Sequence, residues 1–170
     1  MSRPQYILLP ASASFIVFSL AAAFLLNLLP WGHLDGVPDF VALTLLFWSL
    51  HQPRRVGMGA AFAMGLLMDV HNASFLGEHP LGYLMLAFVA ITFHRRILGT
   101  PLLFQMIFAL PILALAQIVP LLVRLAMGAG WPGWGYLASA VVATLIWPLV
   151  SALLIAPQKR AVDPDDTRPI

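Results

Sequence analysis

The chain has 170 residues, 61% of them hydrophobic and only 9% charged, with a formal net charge of +2. Soluble domains carry about 25% charged residues, so this composition excludes an ordinary soluble domain and leaves room for about six helical spans joined by short loops. The lack of cysteine removes disulfides, thiol nucleophiles and thiolate metal ligands together.

The first apolar run, Tyr6–Leu29, is uncharged. It continues past Ala21-Ala22-Ala23, beyond the length of a secretory signal core, and so reads as a retained span. Ser12, Ser14, Ser19 and Asn27 are its mild polar spots, suited to local bonds or to a neighbouring helix. Leu29–Pro38 is a turn-rich loop with Trp31 at an interface position and Asp35 and Asp39 close by. The second run, Asp39–His51, is short. The third, Val56–Val70, covers about 22 Å at 1.5 Å per residue, against about 30 Å of hydrocarbon. These two runs must borrow flanking residues, thin the bilayer or lie partly inside the protein.

The third run carries small residues at spacing four, Gly57, Ala61 and Gly65, followed by Asp69. Four residues advance a helix by about 400°, which keeps these positions near one face. Such a stripe permits close approach of another helix, and it ends at a carboxylate that must face protein or water. A docking face for a partner and an internal packing seam are both open readings of it. The loop Val70–Pro80 then supplies Asn72, Ser74, Gly77, Glu78 and His79, before a fourth run, Leu81–His94. The fifth, Leu102–Met127, contains Pro111 and Pro120, expected to bend it, with Gln105 and Gln117 placed to bond across helices. A turn with Trp131 and Trp134 leads to the sixth, Tyr136–Ala156. Residues 1–156 thus read as one transmembrane domain and 157–170 as a polar, disordered cytoplasmic tail.

Basic residues follow every second run: Arg54 and Arg55, Arg95 and Arg96, then Lys159 and Arg160, with Arg3 ahead of the first run and Arg168 in the tail. Only Arg124 falls on the other side, so the positive-inside rule places both termini in the cytoplasm. The class that follows is an all-α, polytopic membrane helix bundle of about six spans. Arg54, Arg55, Arg95 and Arg96 fix this topology and are candidates for cytoplasmic contacts or anionic headgroups.

The polar cluster Asp69, His71, Glu78 and His79 has the donor types of a metal site, but its D-x-H and E-H spacings match no ligand motif, and loop ordering by Asp69 is the preferred reading. The sequence has no G-x-S-x-G elbow, H-E-x-x-H helix or Walker-A loop. Asp35, Asp39, Asp69 and Glu78 read as solvated loop acids rather than an acid–base pair. No catalytic residue, cofactor, metal or nucleic-acid partner is expected. The candidates are the packing positions Gly57, Ala61, Gly65 and Asp69 and the outer-loop positions Asp39, Gly77, Glu78 and His79.

The order Pro38-Asp39, Pro53-Arg54-Arg55, Gly59-x-x-Phe62-x-x-Gly65-Leu66-x-x-Asp69 and Leu76-Gly77-Glu78-His79-x-Leu81 resembles the rod-shape-determining MreD family. Pro80 departs from the pattern, standing where a small helix former is expected. The resemblance implies a non-catalytic, multi-pass component of the bacterial inner membrane that belongs to the elongation machinery. Its implied partners are an MreC-like bitopic protein and, through it, an MreB-like filament, a RodA-like glycosyltransferase and a class B penicillin-binding protein, besides membrane lipids. The alternative function is a substrate-binding membrane subunit of a vitamin-type transporter.

Overall fold

Each apolar run becomes a helix whose ends are set by local chemistry. The computed structural model describes residues 6–8, 11–31 and 36–161. Within them the helices are α1 (Ala13–Leu28), α2 (Phe40–His51), α3 (Met58–Asn72), α4 (Glu78–Leu98), α5 (Leu102–Ala126) and α6 (Trp134–Ile155). Short connections reverse the chain between successive helices, and α2, α4, α5 and α6 each pack on the helix before them, while α3 packs on α4 rather than on α2. One end of the bundle therefore carries Asp39, Asp69 and Glu78, and the other carries Arg54, Arg55, Arg95 and Arg96; these are called the acidic and basic ends below.

The bounds of the first and fourth helices differ from the sequence reading, and α4 also runs past His94 to Leu98, with Arg95 and Arg96 in its last turn. The first helix starts at Ala13 rather than Tyr6, because the Ser12 hydroxyl caps it by accepting from the Phe15 amide at 3.2 Å. Tyr6–Leu8 forms instead a short strand, β1, antiparallel to β2 (Lys159–Ala161). The fourth helix starts at Glu78, so Glu78, His79 and Pro80 are its first turn and not loop. Proline is accommodated there because a first-turn amide has no helical acceptor to lose. Ala156–Gln158 form a 3₁₀ turn after α6, and residues 162–170 of the expected tail lie outside the described residues.

The helix at the centre is α2. Every residue from Val41 to Leu50 is buried, and α1, α4, α5 and α6 surround it. A helix of only 12 residues, about 18 Å long, is here hidden by its neighbours rather than stretched across the bilayer. Its Trp48 indole donates to Ser19 of α1 at 2.8 Å, so the polar atom of a fully buried ring is satisfied. Three helical segments, Glu78–Leu98, Leu102–Ala126 and Trp134–Gln158, are long and apolar enough to cross a membrane, and α1 and α2 are shorter apolar helices. In a bilayer, helix association depends on close packing and interhelical hydrogen bonds. Both are concentrated around α4.

Candidate functional site

The small-residue stripe faces inward. Ala61, Gly65 and Asp69 are buried, and a Cβ added at Gly65 would lie 2.4 Å from Cα of Pro80 and 2.5 Å from its nitrogen. The close approach anticipated at Gly65 is thus taken by the first turn of α4, and Pro80, the departure from the expected pattern, is what fills it. Gly57 stands at the N-cap of α3, and a Cβ there would meet only the carbonyl of Pro53, at 3.7 Å. Of the two open readings of the stripe, the geometry at Gly65 is that of an internal α3–α4 seam. A second seam went unnoticed in the sequence. A Cβ on Gly82 of α4 would lie 2.5 Å from the Ala116 carbonyl and 2.8 Å from the Pro120 ring on α5. Pro120 has no N–H to offer that carbonyl, and glycine lets α4 pack directly over it.

Asp69 ends the α3 stripe and holds the start of α4. One carboxylate oxygen accepts from the Gly77 amide at 2.6 Å. The other accepts from the His79 amide at 2.9 Å, the His79 ring Nδ1 at 2.7 Å and the Ser74 hydroxyl at 3.1 Å. Gly77 (φ 101°) and Ala73 (φ 49°) take the left-handed conformation that turns the chain between the two helices. Since Gly77 is the N-cap of α4 and has no side chain to cap it, Asp69 supplies the missing acceptor from the neighbouring helix. The Asn72 side-chain amide lies 3.3 Å from Nε2 of His79, on the other side of the ring from Asp69.

Asp39 does the same for α2. Its Oδ1 accepts from the Ala42 amide at 3.0 Å and from the Asn27 side chain of α1 at 2.8 Å, and its Oδ2 accepts from the hydroxyl of buried Tyr83 at 2.6 Å. Asn27 in turn accepts from the Phe40 amide at 3.0 Å. One carboxylate therefore joins α1, α2 and α4. Asn27 read only as a mild polar spot, and Tyr83 was not singled out at all. The available signal was a tyrosine in an apolar helix, whose hydroxyl needs a partner when buried.

Two of the acids read as solvated are buried. Asp69 and Glu78 are 1% and 3% exposed. Asp39 is half-buried, and Asp35 lies outside the described residues. Asp39 and Asp69 stand at helix N-termini, whose free amides they accept from. The metal-type donors are divided: His79 is committed to Asp69 and Asn72, while His71 is exposed with its ring edge-on to Phe24. Between the helices at this end is a polar cleft of about 380 Å³, reached by Asn27, Asp39, Asn72, His79, Gln117 and Tyr136. Gln117 donates to Ser139 across the α5–α6 contact, and its buried Oε1 has no donor among the described residues. A second cavity of about 310 Å³ shares Asn72, His79 and Tyr136 and is bordered by Glu78 and Arg124. The Gln105 side chain, by contrast, donates to the Thr100 carbonyl in the turn before its own helix, its one side-chain bond among the described residues.

At the basic end Arg54, Arg95 and Arg96 are exposed and form no ion pair among the described residues. Arg55 donates to the Ala11 carbonyl, tying the α2–α3 connection to the start of α1. Of the four arginines considered for cytoplasmic contacts, one thus has an internal task.

A family model described as rod shape-determining protein MreD matches residues 7–156. The chain is also 28% identical, over 134 residues, to the rod shape-determining protein MreD of Haemophilus influenzae, covering 78% of this chain and 83% of that protein. No solved structure matches it.

Proposed function

The chain belongs to the MreD family of rod shape-determining proteins, and from that premise we propose that it is a non-catalytic scaffold of the elongation complex. In this reading it is a multi-pass protein of the bacterial inner membrane with both termini in the cytoplasm, an orientation supported by the arginines gathered at one end. Its partners are an MreC-like bitopic protein and, through it, an MreB-like filament, a RodA-like glycosyltransferase and a class B penicillin-binding protein.

The observation that carries the scaffold reading is the employment of the ionisable groups. Asp39, Asp69 and His79 spend their hydrogen-bonding capacity on the protein's own helix ends, the use expected of a rigid part rather than of a general acid or base. The alternative, a substrate-binding subunit of a small-molecule transporter, draws on the 380 Å³ cleft, which has the size of a ligand pocket. Depletion separates the two. Loss of rod shape, with swollen, rounded cells, is the expected outcome; cells of normal shape with a nutrient requirement would favour the transporter.

A further inference from the structure

The helices α4 and α5 touch at the Gly82 seam, near the acidic end, and leave a groove along their other half. On α4 it is bordered by Val89, Phe93 and Arg96, spaced four and three residues apart and so on one face. On α5 the facing residues are Phe108, Pro111 and Leu115, at the same kind of spacing. The groove encloses about 400 Å³ and extends about 10 Å along the helices at 1.5 Å per residue. Its walls are apolar except for Arg96, at the basic end.

Arg96 is exposed and has no carboxylate within ion-pair distance among the described residues. The three acids described there, Asp39, Asp69 and Glu78, all belong to the opposite end of the bundle. An apolar slot of this kind, opening beside a guanidinium that has no carboxylate partner among the described residues, matches an amphipathic anion in both polarity and order. We propose that the groove holds one acyl chain of an anionic phospholipid, with its phosphate on Arg96. A guanidinium offers a phosphate two parallel donors, and basic pockets between membrane helices recognise anionic headgroups in this way. A partner's transmembrane helix would fill the apolar length but would leave the guanidinium without an anion.

The test uses the full chain in nanodiscs of equal parts phosphatidylglycerol and phosphatidylcholine. Trace phosphatidylglycerol or phosphatidylcholine with a photoactivatable acyl chain is added, and crosslinks are mapped by peptide mass spectrometry. Labelling should fall on α4 and α5 around Phe93 and Leu115, with phosphatidylglycerol favoured about five-fold, the ratio one basic residue facing an anionic headgroup contributes. Arg96→Gln should bring the ratio to about one, Arg96→Lys should keep a preference, and Leu115→Trp should remove labelling of the groove by either lipid. Equal labelling by the two lipids in the unaltered chain, or an unchanged ratio in Arg96→Gln, would overturn the proposal. So would protection of the groove from lipid by a co-purified membrane helix.

Discussion

His79 and Tyr83 stand one turn apart on α4, and each holds a carboxylate from a different part of the bundle. The His79 ring bonds Asp69 of α3 at 2.7 Å, and the Tyr83 hydroxyl bonds Asp39, the N-cap of α2, at 2.6 Å. Their rings meet edge-on with centroids 6.1 Å apart. Two contacts four residues apart fix both the rotation and the height of α4 against its neighbours. The acidic end of the bundle is therefore set as one unit.

Asp69→Ala should destabilise this unit most. It leaves the Gly77 and His79 amides without acceptors, at about 1–3 kcal/mol for each buried group left unpaired. Asp69→Asn keeps the shape but replaces one accepting oxygen with a donor, so it should fall between alanine and the original residue. Thermal unfolding in detergent gives the ranking. Amide hydrogen exchange should show faster exchange at residues 77–79 in both variants, and wild-type protection there would contradict the capping role.

Tyr83→Phe and Asn27→Ala remove separate bonds to the same carboxylate. Each should cost about 0.6–1.7 kcal/mol, the range for interhelical side-chain bonds in membranes. Because they share Asp39, the double variant should depart from the sum of the singles. Strict additivity in a double-mutant cycle would show that the three residues do not act together.

Gly65→Ala places a methyl group on the backbone of Pro80, which cannot rotate out of the way as a flexible side chain can. Overpacking of this kind costs about 1–3 kcal/mol, and Gly65→Leu should prevent correct α3–α4 pairing altogether. By contrast, Gly59→Ala, at an exposed helical position with open space around it, should be neutral or slightly stabilising. Melting temperatures of the three variants check both expectations.

Gly82→Ala meets the Ala116 carbonyl and the Pro120 ring. Adding Pro120→Ala removes the ring and restores an N–H for that carbonyl, so the double variant should recover part of the stability lost by Gly82→Ala alone. An equal or greater loss in the double variant would mean that the two positions are not one seam.

Much of the fold was legible because it rests on composition and spacing. The six apolar runs became six helices, and the Pro38-Asp39 and Gly65-x-x-x-Asp69 patterns mark the two carboxylates that organise the acidic end. The partners of those carboxylates were not legible. Tyr83 and Asn27 lie 44 and 12 residues from Asp39, and no local pattern encodes a contact at that distance. The central position of α2 was hidden for a related reason, since an all-apolar helix reads the same whether lipid or protein surrounds it. Nor does the spacing of a small-residue stripe say whether the helix beside it belongs to the same chain. Only the position of Pro80 against Gly65 answers that.

The proposed scaffold role requires the protein to hold other members of the elongation machinery. Photocrosslinkers at the exposed positions Phe62 and Leu67 of α3, and Leu145 and Leu149 of α6, in native membranes, test it most directly. The expected result is capture of an MreC-like bitopic protein from at least one of these faces, by a chain that restores rod shape to depleted cells. Capture of lipid alone from every face, by a chain that still restores the rods, would contradict it.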